Sequence, residues 1–232
     1  MEEGFFWFES RNALLTWALA KYFPSASSFF EVGCGTGFVL REVGRKFPRM
    51  RLTGGEVFEN GLKIASKRVP GAEYVQVDAT RMPFNEEFDV VGAFDVVEHI
   101  DDDEAVLRGL YQAVRTGGGV MLTVPQHRFL WSAADDHAHH KRRYSRAELV
   151  EKAERAGFRV AMTTSFVSFL MPALMVARMG RGQKDGYNVF EELTIGATAN
   201  RVMSSVSLME RGAIRAGVRL PMGGSLLVVG RK

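Results

Sequence analysis

Two hydrophobic patterns alternate regularly along the chain from residue 28 to residue 163. Short apolar or β-branched runs predict strands, and segments with apolar residues at helical spacing predict helices. The predicted strands are residues 28–32, 51–56, 72–77, 88–94, 119–124, 158–163 and 225–229. The predicted helices of this region are residues 39–47, 60–68, 102–113 and 146–156. Such alternation indicates βαβ units, and hence a parallel sheet with helices on both faces.

Two helical regions lie outside this alternation. Residues 10–23 predict a helix that begins after Ser10 and ends before Pro24. After about residue 164 the pattern becomes a Met-rich apolar segment, a linker at 180–186 and a long helix at 189–215.

We therefore expect a Rossmann-like α/β fold with a seven-stranded, mostly parallel sheet. The single domain, residues 1–232, is predicted to divide into four parts. These are an N-terminal helical lid (1–27), a core (28–164), a helical insertion (165–218) and the last strand (219–232).

Length and charge narrow the class of protein. The 232 residues, 46% of them hydrophobic, suffice for one large α/β domain but not for two. A net charge of +3 does not by itself indicate nucleic acid. The start of the chain lacks a basic signal-peptide region, and the apolar segment 166–179 is too short to span a bilayer. We expect a cytoplasmic monomer or homodimer acting on a small molecule, with peripheral membrane contact at most.

A glycine-rich loop follows the first predicted strand. Gly33, Gly35 and Gly37 let the backbone turn sharply and approach a ligand closely, which is typical of a nucleotide-type cofactor. The spacing is G-x-G-x-G, and Phe38 stands where a dinucleotide fingerprint has its third glycine. The single cysteine, Cys34, excludes an internal disulfide, and we interpret it as a small structural residue of the turn.

Acidic residues end three other predicted strands. Glu56 can accept both ribose hydroxyls, and Asp78 can accept the adenine amine. The fourth strand ends in Phe94 and is followed by Asp95 and the pair Glu98-His99. This pair either lies at the ligand site or stabilises the loop. Because ligands of open parallel sheets bind at the carboxyl edge, these groups are expected to face one site.

Together these motifs resemble the class I S-adenosylmethionine (SAM)-dependent methyltransferase family. The resemblance covers roughly residues 28–125 and includes Glu31 before the glycines, Met82-Pro83-Phe84 after Asp78, and Gly117 to Gly119 before a strand. It implies methyl transfer from SAM, with S-adenosylhomocysteine (SAH) as product. The implied cofactor-binding residues are Glu31, Gly33, Cys34, Gly35, Gly37, Glu56, Val57, Asp78, Ala79, Phe94 and Arg11.

The segment after the fifth strand, from Val124 to Ser145, resembles a mostly uncharacterised bacterial branch that is similar to ubiquinone-biosynthesis methyltransferases. Its aromatic residues and arginines predict substrate binding by Trp131, Asp136, Arg142, Arg143 and Tyr144. The candidate bases are His127, favoured by its place at the strand end, His99 and His137. The apolar helical regions predict an apolar, lipid-like or glycosyl-linked acceptor.

Alternatives remain open from the sequence. An NAD(P)-dependent oxidoreductase and a non-catalytic SAM-binding module fit parts of the pattern. Instead of binding substrate, the histidines after the fifth strand could belong to an ordinary solvated basic loop. They could also form a metal site from Asp136, His137, His139 and His140. Because these four are crowded in one loop without a distant ligand, we assign no metal.

Overall fold

A computed structural model describes residues 3–173, 175 and 196–232. The strands are β1 Ser28–Val32, β2 Arg51–Glu56, β3 Glu73–Gln76, β4 Phe88–Phe94, β5 Val114–Pro125, β6 Arg159–Phe166 and β7 Ser225–Arg231. The helices are α1 Phe6–Tyr22, α2 Phe38–Lys46, α3 Glu59–Arg68, α4 Asp103–Ala113, α5 Ala133–His137, α6 Arg146–Arg155 and α7 Ala197–Arg215. Short 3₁₀ turns lie at Val97–His99 and Arg128–Leu130.

The strands form one seven-stranded sheet in the order β3-β2-β1-β4-β5-β7-β6. The pairs among β3, β2, β1, β4 and β5 are parallel, whereas β7 runs antiparallel to β5 and β6. The predicted fold class is confirmed, including the N-terminal helix and a helix before the last strand. The carboxyl ends of β1, β2 and β4 therefore meet at one edge of the sheet.

Alternate strand residues pack into two hydrophobic cores, one on each face of the sheet. Phe30 and Val91 face the core that is covered by α4 and α6. Phe29 and Val90 face the second core, which is covered by α1, α2 and α7. Because both faces are covered, the strands are apolar almost throughout, as expected of a parallel sheet.

Helix α1 begins one turn earlier than the sequence predicts. It starts at Phe6 rather than after Ser10, because the aromatic run packs as part of the helix: the Phe8 ring meets Phe38 edge-on with centroids 5.8 Å apart. Ser10 is not the N-cap; its hydroxyl accepts a hydrogen bond from Arg211 of α7 at 2.6 Å. By contrast, Ser145 is the N-cap of α6, as predicted, and accepts from the Glu148 amide at 3.2 Å.

Part of the predicted helical insertion lies outside the described residues. This holds for the linker at 180–186, for most of the second half of the Met-rich segment and for the first part of the helix predicted at 189–215. Within the described residues, no helix combines the length and the apolar character that crossing a bilayer requires.

A buried carboxylate joins α4 to α6 beneath the sheet edge. Asp103 is 3% exposed, and it accepts from the Tyr144 hydroxyl at 2.6 Å and from Lys152 Nζ at 2.5 Å. The Arg142 guanidinium lies 3.0 Å from the same oxygen, Oδ2. Burial opposes ionisation of Asp103, but these hydrogen bonds and charges outweigh it and lower the pKa of the carboxyl.

We expect Asp103→Asn to destabilise the protein by about 3 kcal/mol at pH 7, because it leaves two partly buried cations, Lys152 and Arg142, without their counterion. Since the pKa of Asp103 is lowered by folding, this contribution is present above the unfolded pKa of about 3.9 and is lost as the pH falls through the folded value. Urea unfolding of both proteins should show their difference shrinking below about pH 4. Asp101→Asn, at an exposed side chain, is the control and should change stability by less than about 0.5 kcal/mol. A difference that is absent at pH 7, or that does not change with pH, contradicts this assignment.

Candidate functional site at the carboxyl edge of the sheet

The loop between β1 and α2 depends on glycine geometry. Gly33, Gly35 and Gly37 have φ angles of +66°, +52° and +76°, in the left-handed region that favours glycine. A Cβ on Gly33 would lie 2.5 Å from the Val96 side chain, so this position also excludes any larger residue by contact. The loop thereby places the first turn of α2 against the end of β1.

The Glu56 carboxylate holds this loop to the end of β2. It accepts hydrogen bonds from the backbone amides of Gly35 at 3.0 Å, Val57 at 2.9 Å and Phe58 at 3.1 Å. A carboxylate has about four acceptor sites, so roughly one remains for a ribose hydroxyl in this arrangement. Glu56 therefore both shapes the loop and keeps acceptor capacity beside it.

The other predicted cofactor residues fall into buried and exposed groups. Glu31 is buried in the middle of the sheet, and Cys34 is buried in the turn, where burial, and then the charges of Glu31 and Glu56, raise the pKa of the thiol. A protonated, buried thiol agrees with a structural role. Phe94, expected beside the cofactor, lies in the core with its ring stacked on Phe29 at 6.4 Å.

At the third strand end, Asp78 is exposed and Ala79 is buried. The Asp78 carboxylate accepts from the amide and the hydroxyl of Thr80, at 2.9 and 2.8 Å. These two hydrogen bonds lower the pKa of Asp78, so the group is ionised at neutral pH. Val57, at the adjoining strand end, is 48% exposed.

Arg11 connects α1 to the same edge. Its guanidinium lies 2.6 Å from Asp95 Oδ2 and packs over the Trp7 ring at 4.6 Å from the centroid. Asp95 directly follows β4 and has a φ angle of +56°, which is uncommon for a residue other than glycine. The ion pair places the N-terminal part of α1 beside the loop that follows β4.

These residues fit SAM. Apart from Gly35 and its two chain neighbours, no described residue has a heavy atom within 4 Å of the position that a Cβ on Gly35 would occupy, so the loop faces open space. That space adjoins the Glu56 carboxylate, and the edge that bears it is where open α/β sheets bind their ligands. The Glu31, Glu56 and Asp78 carboxylates complement the cationic and hydroxyl groups of such a ligand.

Beyond β5, a buried carboxylate organises the predicted substrate loop. Asp135 accepts from Arg143 through both oxygens, at 2.7 and 3.0 Å, and from the Ser132 amide at 2.8 Å. His140 Nδ1 lies 2.8 Å from Asp135 Oδ1. Burial opposes ionisation of Asp135, but the hydrogen bonds from His140 and Arg143 outweigh it and lower the pKa of the carboxyl.

The structure therefore corrects the expected roles of three substrate-loop residues. Arg143 is neutralised by Asp135, and Arg142 pairs with Asp103 at 3.0 Å and donates to the Asp101 carbonyl at 3.0 Å. Each guanidinium therefore has an internal partner; the Arg143 side chain is 7% exposed and that of Arg142 is 26% exposed. Tyr144 is fully buried, with its hydroxyl bonded to Asp103, so its side chain supports the fold.

Trp131 and Asp136 remain accessible. Trp131 is 37% exposed, and its indole donates to Asp136 Oδ1 at 2.9 Å. Phe129, which the sequence analysis did not select, is 61% exposed in the same loop. These aromatic surfaces are available to a ligand.

Two of the candidate bases have lowered pKa values. The His127 ring stacks on Phe129 at 5.0 Å, and its buried Nε2 has no hydrogen-bond partner among the described residues. Burial, and then the charges of Arg143 and Arg146, lower the pKa of His127. Burial, and then the neighbouring His140, lower the pKa of His99. His137 is exposed at the end of α5.

Sequence reasoning placed Asp95 at this edge without a partner, and it missed Asp135 and Gln126. Asp95 pairs with Arg11, Asp135 anchors the substrate loop, and Gln126 is fully buried at the end of β5 with neither side-chain atom hydrogen-bonded to a described residue. Two of these residues are marked in the sequence by their position at a strand end: Asp95 directly follows β4, and Gln126 directly follows β5.

The chain is similar to known methyltransferases in sequence and in structure. Residues 30–122 match the model of a family described as a methyltransferase domain. This part of the chain is thus similar to methyltransferase domains.

Two curated proteins from the wider family illustrate the match. The chain is 31% identical over 98 residues to the ubiquinone/menaquinone biosynthesis C-methyltransferase UbiE of Desulfotalea psychrophila, covering 41% of this chain and 40% of that protein. It is 27% identical over 119 residues to a malonyl-[acyl-carrier protein] O-methyltransferase of Bacillus cereus, covering 50% of this chain and 44% of that protein. The match thus spans less than half the length of these relatives.

Similarity in structure extends further along the chain. A SAM-dependent methyltransferase of Thermotoga maritima, described as a possible histamine N-methyltransferase, superposes with a TM-score of 0.60 and 19% identity. The superposition covers 97% of this chain and 92% of that one, and it shows the fold. The family and sequence matches confirm the predicted recognition as a class I SAM-dependent methyltransferase and the prediction of SAM as cofactor. They favour this class over an NAD(P)-dependent oxidoreductase.

We expect Gly33→Ala to weaken SAH binding and lower the melting temperature. Alanine in the left-handed region costs about 1–2 kcal/mol, and its Cβ would also displace Val96. Calorimetry and thermal unfolding measure the two effects. Gly71→Ala is the control, because its Cβ meets nothing within 4 Å among the described residues. Equal behaviour of the two variants would show that the loop geometry is unimportant.

We expect Glu56→Gln to raise the dissociation constant for SAH by about tenfold or more. An amide keeps one acceptor oxygen, so at least one charge-assisted hydrogen bond to the loop, worth about 1.5–3 kcal/mol, is lost. Glu59→Gln serves as the matched control, since Glu59 is exposed and only pairs with Lys63 at 3.0 Å. SAH affinity that is unchanged in Glu56→Gln contradicts the role given to this carboxylate.

Proposed function

We propose that this protein transfers the methyl group of SAM to a small-molecule acceptor with apolar, lipid-like or glycosyl-linked character. The observation that carries the proposal is the site at the carboxyl edge, where the glycine loop and Glu56 adjoin within the methyltransferase domain. A cytoplasmic location, action without nucleic acid and a monomeric or homodimeric state are parts of the same proposal.

The acceptor half of the proposed site lies largely beyond the matched domain. The family match ends at residue 122, and β5 continues to Pro125 before the loop that carries His127 and Trp131. The two curated relatives are named as a C-methyltransferase and an O-methyltransferase. Because the acceptor atom differs within this family, the loop after β5 is the part of the chain that selects the acceptor.

Helices α1 and α7 support the proposed lid over an apolar acceptor. They are joined by the Ser10–Arg211 hydrogen bond, and the Phe6 amide donates to Asn200 Oδ1 at 2.9 Å. Arg11 connects this helix pair to Asp95 at the end of β4. Several large apolar side chains on α7 are exposed: Val202, Leu208 and Met209. An apolar acceptor would cover part of this surface.

The chemistry requires little from the protein beyond positioning. SAM supplies a methyl group on a sulfonium centre, which is already activated for in-line displacement by a nucleophile. The protein must orient the acceptor, exclude water and, for a hydroxyl acceptor, remove one proton. His127 is suited to the last task, because its lowered pKa keeps the ring neutral near pH 7 and its Nε2 has no partner among the described residues.

A turnover assay tests the proposed function. Purified protein and SAM are incubated with panels of lipids, quinone precursors, glycosyl-linked compounds and a total metabolite extract. We expect one SAH to form for each molecule of methylated product, and the mass of that product should exceed the mass of the acceptor by one methylene group. SAH binding without methyl transfer to any compound of the extract would instead support a non-catalytic SAM-binding module.

We expect His127→Ala to lower turnover by about 10²–10⁴-fold with a hydroxyl acceptor, because it removes a general base. SAH affinity should change little, since His127 lies after β5 and outside the glycine loop. The acid limb of the kcat/KM profile should lie below the ordinary histidine pKa of about 6.5, because the base acts only when neutral. His139→Asn is the control, because His139 is exposed and is not a candidate base, and it should keep full turnover. Full turnover in His127→Ala with every accepted hydroxyl compound removes this residue as the base.

A further inference from the structure

Three side chains capable of binding a metal meet just beyond β4. Glu98 and His99 end the 3₁₀ turn that follows β4, and His140 comes from the loop after α5. One possible ligand atom from each lies within 4.8 Å of the others. We propose that Glu98, His99 and His140 bind a divalent transition-metal ion. The proposal concerns metal binding and does not rest on methyl transfer.

Glu98 provides the strongest argument for a cation. Its side chain is fully buried, and neither carboxylate oxygen has a hydrogen-bond partner among the described residues. A buried carboxylate that lacks hydrogen bonds costs several kcal/mol, as an order-of-magnitude estimate, unless a cation or a bound proton neutralises it. Arg11 and Arg143 already pair with Asp95 and Asp135. A metal ion beside Glu98 supplies the missing positive charge and ligation.

His140 is held in an orientation that suits a metal ligand. Its Nδ1 lies 2.8 Å from Asp135 Oδ1, which leaves Nε2 to face a cation. Asp135 is itself held by Arg143, and the Lys141 amide donates to the Glu98 carbonyl at 2.7 Å. A histidine fixed by a carboxylate on its other nitrogen is the arrangement that commonly surrounds protein-bound metals.

The two imidazole rings lie close enough for shared ligation. The His99 and His140 centroids are 4.7 Å apart, with the rings inclined by 70°. An ion with ligand distances of about 2.1 Å would bring the three ligand atoms to roughly 3.5 Å apart. Since the ligand atoms now lie within 4.8 Å of one another, a small rotation of the exposed His99 side chain would complete the site.

The donor set indicates which ions to expect. Two imidazole nitrogens and one carboxylate oxygen suit zinc, cobalt, iron or nickel, whereas magnesium and calcium prefer oxygen ligands throughout. Three protein ligands also leave at least one coordination position open. The turn at Val97–His99 begins three residues after the last residue of β4, at the carboxyl end of that strand. Water or an oxygen atom of an acceptor would complete the coordination.

The test uses the full chain after treatment with a chelator. We expect Co²⁺ to bind with a stoichiometry of one ion per chain, giving visible absorption bands that Zn²⁺ abolishes by displacement. We expect Mg²⁺ to compete only weakly. Calorimetry with Zn²⁺ gives the affinity, and Glu98→Gln, His99→Ala and His140→Ala should each reduce it by roughly tenfold or more.

Matched controls distinguish this site from the neighbouring exposed histidines. His137→Ala and His139→Asn should keep the Zn²⁺ affinity; asparagine suits the left-handed backbone at His139, where φ is +56°. Circular dichroism checks that each variant folds. Because His99 is exposed, His99→Ala tests the site without a substitution at a buried side chain.

Three results would overturn the proposal: no binding of Co²⁺ or Zn²⁺, unchanged affinity in Glu98→Gln, His99→Ala and His140→Ala, or loss of binding in the two control variants. All readouts are spectroscopic or calorimetric. Metal binding without methyl transfer, or methyl transfer without metal binding, would therefore separate this proposal from the proposed function.

Discussion

The contact between Glu56 and the glycine loop is the constraint on which the cofactor site depends. One carboxylate at the end of β2 accepts three backbone amides and thereby joins two loops that follow neighbouring strands. Backbone amides in a turn with left-handed residues cannot all bond within the turn. They therefore need an acceptor such as the Glu56 carboxylate. The Cys34 amide adds a second link, to the Gly55 carbonyl at 2.9 Å. The loop is therefore shaped before a cofactor enters.

A second carboxylate has the same function for the other half of the site. Asp135 gathers Arg143, His140 and the start of α5 around a buried charge. Asp135 pairs with Arg143 and Asp103 pairs with Arg142, so both adjacent arginines of this basic loop have internal partners. The accessible side chains of this loop include the aromatic rings of Phe129 and Trp131. Among its histidines, His137 and His139 are exposed, whereas His127 is partly buried. The family match ends at residue 122, before this loop.

Much of the fold could be predicted from the sequence, because local patterns determine it. The bounds of β1, β2 and β4 follow directly from the apolar runs, and the α6 N-cap follows from Ser145. The start of α1 was wrong because its aromatic residues are fixed by contact with α2, which no local pattern records.

The site was predicted unevenly for the same reason. Glycine spacing and strand-end acids identify a cofactor loop, since both lie close together in sequence. Contacts between distant parts of the chain cannot be read from a local pattern. Asp103 contacts Tyr144, and Glu98 lies near His140, although the residues of each pair are about forty positions apart. Composition alone made Arg143 and Tyr144 resemble ligand-binding residues, and only their burial and partners showed otherwise.

The most direct test of this account is calorimetry of the unmodified protein with SAH and, separately, with NAD⁺. If the loop that Glu56 holds binds the cofactor, SAH should bind saturably, with one molecule per chain, and NAD⁺ should give no heat of binding. Binding of NAD⁺ in place of SAH, or binding of neither, would contradict the account.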